Sequence, residues 1–290
     1  MFEKILIISE LHYNFDHVLS CVLQLKNLGT RSCLLVQCLN PHELSDAISN
    51  YIINIYNDHL EAQRQCLIEH GFSVSTRQMI GVYQENIGQT ALEENCSLIV
   101  VGAPERTVIG SLLDGGAAYQ MMQGSPVPLL LVRTPPTPDM TRAVAHECHM
   151  IDHVLFPTDF SENAEKAFDI VKETARSGVK KITLMHVQDK AKIDPHLLDQ
   201  LEQFNKKDMD RLKALETSLK EVGEVDVDCV LLYGSPTVEI LNFIKQQGVT
   251  WVIMGSQGRG RIRDIYLGNV SHNIARRSPV PVLLVPIPRS

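Results

Sequence analysis

One eight-residue phrase occurs twice in this chain, and that duplication limits what it can fold into more than any other feature. SPVPLLLV at 125–132 returns as SPVPVLLV at 278–285, an offset of 153 residues. The same offset lays Gly81 over Gly234, Gly102 over Gly255 and Gly115 over Gly268. Near the start of each copy the offset is 149, where KILIISE (4–10) lies over HVLFPTD (153–159). NPHEL (40–44) also lies over DPHLL (194–198). A repeat of this length reads as one folding unit used twice. The expected domains are 1–134 and 150–290. Residues 135–149 are the natural linker, because the prolines of PPTPDMTRAVAHE resist both helix and central strand.

Each copy alternates short apolar runs with helical patterns. In the second, strands are expected at 153–158, 181–187, 225–233, 251–255 and 281–285. Helical patterns cover the stretch from Ser161 to Gly178, 194–222, 237–248 and 269–277. Asp194-Pro195 offers a cap and a first-turn proline. Continuous apolar strands separated by helices mean a parallel sheet covered on both faces. The expected fold is therefore two tandem, doubly wound α/β units, each a five-stranded parallel sheet between helices. The last strands, 125–132 and 278–285, are expected at sheet edges, where each needs cover.

Composition narrows the setting. Hydrophobic residues at 44% and charged residues at 21% describe a globular chain. No apolar run approaches the ~20 residues of a membrane span, and MFEKILIISEL lacks the cleavage site of a secretion signal. The seven cysteines are an odd number without a CxxC pair, so reduced, mostly buried thiols in a cytoplasmic protein are expected. Cys38 and Cys229 read as core thiols. The net charge of −7 argues against nucleic-acid binding. It is also lopsided: residues 1–149 hold 8 basic against 15 acidic residues, and 150–290 hold 19 of each. An anion site is better placed in the second copy.

Open parallel sheets bind ligands at the carboxyl ends of their strands, where strand order reverses. After the fourth strand of copy two comes GSQGRGRIRDIYLGNVSHNI (255–274). Gly255 and Gly258 bracket a turn through which backbone N–H groups can approach an anion. Arg259, Arg261 and Arg263 follow. Gly268-Asn269-Val270-Ser271 then opens a helix, whose unpaired N–H groups favour phosphate, with Asn269 as a cap and donor. Two such corners nine residues apart suit a di- or triphosphate. GxxxxGK[ST] is absent, and Gly258-Arg-Gly260-Arg-Ile-Arg263 has arginine where a dinucleotide fingerprint needs its third glycine.

The spacing Gly255-x2-Gly258-x9-Gly268-Asn269 resembles the signature of the universal stress protein family, with Asn269 where Ser or Thr is usual. PTDFSENAEKAFDIV (157–171) resembles the family's opening strand and helix, and the resemblance covers nearly the whole chain as a tandem, Rossmann-like form. It implies an adenine nucleotide, ATP or AMP, with Mg²⁺ accompanying ATP. Pro157, Thr158 and Asp159 would lie by the adenosine, and Val187 would flank the base through its backbone. Gly234 would let a loop pass close to the nucleotide. Met254, Gly255, Gln257, Gly258 and Arg259 would line ribose and phosphates, and Gly268, Asn269, Val270 and Ser271 would hold the phosphate tail. It also implies a pseudo-dimer within the chain, through 125–132 and 278–285, and leaves room for a homodimer.

In copy one, Glu105 stands where Gly258 stands, which puts a carboxylate where a phosphate would go. Pro104 removes a donor, Glu10 replaces Asp159, Gly116 replaces Asn269 and Ala118 replaces Ser271. No triphosphate is expected there. His146-x-Cys148-His149-x3-His153 matches no common zinc spacing, so no metal site is expected. His186 reads as a packed strand-end histidine, and Ser235 is no nucleophile elbow. The helix expected over 41–70 covers the sheet. The function expected is nucleotide binding in a stress-response or regulatory role, with no catalytic residue marked. The alternatives are a slow Mg²⁺-dependent ATP hydrolase or phosphotransferase, for which Asp159, Asp189 and Asp264 are the available carboxylates, and a ligand-free interaction module.

Overall fold

Ile5–Ile8 within KILIIS and Val154–Pro157 within HVLFP are apolar at every position, which suits strands with a helix layer on each face. The computed structural model describes residues 1–10, 15–39, 49–80, 83–104, 116–134, 148–191, 201–258 and 267–287. Its contacts separate into two units, Met1–Cys148 and His149–Ile287.

The first unit runs β1 (Lys4–Ser9), α1 (Phe15–Gln24), β2 (Ser32–Leu39), α2 (Ser49–Glu69), β3 (Ser73–Ile80), α3 (Tyr83–Glu93), β4 (Leu98–Pro104), α4 (Ala117–Met122) and β5 (Leu129–Thr134). The second runs β6 (His153–Pro157), α5 (Glu162–Arg176), β7 (Lys181–Asp189), α6 (Leu201–Lys220), β8 (Asp226–Gly234), α7 (Pro236–Gln246), β9 (Trp251–Gly255), α8 (Asn269–Arg277) and β10 (Val282–Val285). Strand order is β3-β2-β1-β4-β5 in one and β10-β9-β6-β7-β8 in the other. Every ladder within a unit is parallel. These are the doubly wound, five-stranded units expected from the repeat.

The ladders carry the repeat in three dimensions. Lys4 faces Ser32 as His153 faces Lys181, both residues displaced by 149. Ile99 faces Leu129 as Val252 faces Val282, both displaced by 153. Ser32 faces Ser73 and Lys181 faces Asp226, so the four extra residues of copy two fall between its second and third strands. A one-residue slip would send each apolar face the wrong way, which is why an insertion goes between strands and not within one.

The first core is built on Ile5–Ile8, Leu35, Leu67, Ile87 and Ile99, and the second on Phe156 and Trp251, all buried to 1% exposure or less. Local chemistry sets the helix ends. Ser161 caps α5 by accepting from Ala164 N at 3.3 Å, and Gly178, at φ +86°, supplies the left-handed turn after it. Pro236 opens α7. Asp194-Pro195 and most of the expected linker (135–147) lie outside the described residues.

The expectation of seven reduced thiols is overturned. Cys21 on α1 and Cys148 form a disulfide that joins residues 127 apart. The pairing is a product of tertiary packing: nothing local to either cysteine announces a partner so distant. Cys33, Cys38 and Cys96 are buried free thiols, and Cys66 and Cys229 are half-buried. Burial pushes the Cys33 and Cys38 thiols up to about 12, which makes them poor nucleophiles. No described helix is long and apolar enough to cross a membrane. No three His, Cys, Asp or Glu side chains among the described residues gather as a metal site.

Candidate functional site

In the second unit, β6 lies between β7 and β9, so strand order reverses beside it. Val154 faces Trp251 and Leu155 faces Val252. Because the two strands run parallel, their carboxyl ends emerge together, and the turns after Pro157 and after Gly255 meet. A β-carbon placed on Gly258 would stand 2.5 Å from Asp159 Oδ2. The second glycine corner joins the first: Gly268 N donates to Ser256 O at 2.8 Å. A β-carbon on Gly268 would lie 3.5 Å from both Gln257 Cα and Gly258 N. Asp159, Gly258 and Gly268, distant in sequence, thus share one corner.

The β6–α5 turn is fastened by its own polar groups. Thr158 N donates to Met185 O at 2.8 Å, and Thr158 Oγ1 accepts from Phe160 N at 3.0 Å. Asp159 Oδ1 accepts from Ser161 N at 3.1 Å. Phe160 takes φ +56°, a left-handed conformation that a bulky residue adopts only when its surroundings hold it there. The His186 ring lies 4.7 Å from its ring, and the Arg211 guanidinium lies 4.5 Å from it. His186 is buried and donates from Nδ1 to Thr158 O at 2.7 Å, so this strand-end histidine braces the turn. Asp208 Oδ2 lies 3.6 Å from its Nε2 and accepts from Gln188 Nε2 at 3.0 Å.

Several expected roles change. Asn269 is not the cap: Gly268 holds that position, and Asn269 Oδ1 accepts from Asn273 Nδ2 at 2.8 Å within the helix. The Ser271 hydroxyl does not face the corner, because it donates to Gly255 O at 2.8 Å and ties α8 to β9. At Gly234 a β-carbon would meet Glu239 Oε1 at 2.6 Å, so the glycine makes room for a side chain of α7. Pro157, Val187 and Met254 are buried strand-end residues in the β6, β7 and β9 ladders. Arg259, Arg261, Arg263 and Asp264 lie outside the described residues.

The sequence reading missed Asn163. Its side chain is 1% exposed, accepts from Gln257 N at 2.8 Å and donates from Nδ2 to Val285 O at 2.9 Å. Ser256 N also donates to Val285 O, at 2.9 Å. The amides of Ser256, Gln257 and Gly268 are therefore used within the corner. Among the described residues, the donors left for an anion are Gly258 N–H and the first-turn N–H groups of α8, at the positive end of its dipole. An asparagine at the second position of a helix gives no local sign of such a role.

In the first unit a carboxylate of the protein takes the corresponding place. Glu10 Oε1 accepts from Ala117 N at 3.4 Å, at the start of α4 beyond Gly116. Glu105 and Gly115 lie outside the described residues.

Two doubly wound units in tandem, one with a glycine-built, N–H-lined corner at its switch point, define a Rossmann-like repeat protein. A model of the Universal stress protein family matches residues 35–133 and 150–286, and the chain belongs to that family. Universal stress protein MJ0577 of Methanocaldococcus jannaschii is 32% identical over 154 residues, covering 47% of this chain and 95% of the relative. Universal stress protein YxiE of Bacillus subtilis is 30% identical over 149 residues, 47% of this chain and 99% of its own. The solved structure of a universal stress protein from Archaeoglobus fulgidus matches 98% of this chain and 96% of its own, with a TM-score of 0.68 at 22% identity, a likeness of fold.

Proposed function

We propose that the second unit binds an adenine nucleotide, ATP or AMP, and that the protein acts as a nucleotide-responsive regulator in the stress response of a cytoplasm. The observation that carries this reading is the junction of the two glycine corners against Asp159. Gly258 N–H and the first turn of α8 offer converging donors to phosphate oxygens, with no β-carbon in the way at Gly258 or Gly268. Asp159 stands beside that cradle, where its carboxylate can accept a hydroxyl of the sugar. Pro157, Thr158, Val187 and Met254 supply the strand-end floor, and Arg259 adds positive charge. The first unit takes no triphosphate, because Glu10 already stands at the start of α4. Bound nucleotide stabilises one arrangement of the corner that a partner reads.

Isothermal titration tests this: one ATP or AMP per chain is expected, and Gly258→Glu should abolish binding. A stoichiometry of two contradicts the silent first unit, and no binding at millimolar nucleotide overturns the whole reading. Turnover measured with Mg²⁺ separates a binder from a slow hydrolase.

A further inference from the structure

The first glycine of a phosphate-binding turn is usually explained by close approach of backbone to ligand. Gly255 has a different neighbour. A β-carbon there would stand 2.5 Å from Asn163 Oδ1, 2.9 Å from its Cγ and 3.2 Å from its carbonyl carbon. The glycine makes room for Asn163, and Asn163 holds the turn. Its carboxamide bridges two backbone groups that the sheet alone does not join. One is the amide of Gln257, inside the turn, and the other is the carbonyl of Val285, at the end of β10. Their chemistry fixes the side chain's orientation: an amide N–H can only donate and a carbonyl can only accept, so Oδ1 must face Gln257 and Nδ2 must face Val285. With Ser256 N also on Val285 O, the turn is pinned at consecutive residues immediately before Gly258.

We propose that Asn163 is the positioning residue of this site. By fixing the peptide of Gln257, it aims the next N–H, that of Gly258, into the phosphate cradle. The assignment rests on the nucleotide reading above. The geometry needs one donor and one acceptor on a planar, buried side chain of this size, and aspartic acid has that pattern only when protonated. In Asn163→Asp the acid form donates from one oxygen to Val285 O and accepts from Gln257 N with the other. The carboxylate instead sets an oxygen against the Val285 carbonyl. Burial and that carbonyl both raise the new acid above the usual carboxylate range. The groups that meet residue 163 from β9, its turn and β10 are Gly255, Gln257 and Val285, none of which titrates. The charged groups of the adjoining turn and helix are Asp159, Glu162, Glu165 and Lys166. From the α6 and β7 side the groups are Arg211 on Phe160, and His186 with Asp208.

The test is nucleotide affinity of the full chain at pH 5 and pH 8, as the ratio of Asn163→Asp to unsubstituted protein, so that titration of the nucleotide cancels. The ratio should stay within about threefold at pH 5 and reach about tenfold weaker at pH 8, the loss that accompanies one mispaired buried polar group. A ratio that does not change with pH overturns the proposal. Amide hydrogen exchange of Gln257 without nucleotide is the second arm. Its protection should match the unsubstituted protein at pH 5 and fall at pH 8 in the variant, after correction for the intrinsic rate. Unchanged protection at both pH values also overturns the proposal. If the unsubstituted protein binds no nucleotide, the reading of the site fails, and the exchange arm alone decides whether Asn163 holds the turn.

Discussion

Asp159 and Gly258 are matched across the site: the carboxylate Oδ2 occupies the point 2.5 Å from where any β-carbon on residue 258 would sit. The match joins the end of the first strand of the repeat to the turn after its fourth. Because the obstructing atom is the tip of a side chain, Gly258→Ala should fold with little loss of stability while displacing Asp159. Nucleotide affinity should fall by about tenfold or more. Calorimetric titration checks this, and a double-mutant cycle with Asp159→Ala should be non-additive, because the two residues share one contact.

Gly255 should behave differently. Its obstruction is a buried side chain held by two hydrogen bonds and, behind it, backbone. Gly255→Ala should therefore destabilise the second unit, by about 1–3 kcal/mol as overpacked substitutions do. Urea unfolding followed by the fluorescence of Trp251, the chain's one tryptophan and a core residue of that unit, reads the change directly.

The disulfide predicts a thiol count. Under denaturing, non-reducing conditions five of the seven cysteines should react with a thiol reagent, and all seven after reduction. The bond closes a loop across a separation of 127 residues. On the chain-entropy model, reduction or Cys148→Ser should cost the first unit up to about 5 kcal/mol. The second unit's unfolding, read through Trp251, should be unchanged.

His153 makes the second unit sensitive to mild acid. Its ring donates from Nδ1 to Gln247 O at 3.2 Å, and its Nε2 lies 2.8 Å from the Thr183 hydroxyl. Burial, with Lys181 adding to it, holds its pKa below the usual 6.5. The folded state thus binds fewer protons than the unfolded one in that range. Stability is fully present above pH 6.5 and declines as pH falls below it. The urea midpoint should drop between pH 7 and pH 5, and His153→Gln should lower that slope by up to about one proton.

At the other acid extreme, Lys213 and Lys220 hydrogen-bond Glu216 and hold its carboxyl down to about 2, from a usual 4.5. That contribution is present above pH 4.5 and is lost as pH falls toward 2. Both lysines are more than half exposed, so Glu216→Gln should cost only about 1 kcal/mol at pH 7, in the same urea assay.

Much of the architecture was legible because it is periodic. Ile5–Ile8 and Val154–Pro157 are apolar throughout, and a strand buried on both faces demands that; the ladders then keep the offsets of 149 and 153 that the letters carry. Gly258 and Gly268 were legible for a related reason, since glycine is scarce enough that its spacing carries a message. Asn163, Ser271 and Gly234 were misjudged or unseen. Each is explained by a partner far along the chain or on a neighbouring helix: Val285 and Gln257, Gly255, and Glu239. The capping role expected of Asn269 passed to Gly268, because the helix begins one residue earlier than a cap at Asn269 would have required.

The amino-acid order by itself determined that there would be two copies of one parallel α/β unit. It also determined where the glycine-hinged turns of the second copy would fall, since hydrophobic period and backbone freedom are properties of short stretches. Only the tertiary structure decided which of those glycines stands against Asp159 and which makes room for Asn163. It likewise paired Cys21 with Cys148 and set Glu10 at the start of α4. The physical reason is that hydrogen bonds and disulfides act over a few ångströms in space and take no account of separation along the chain.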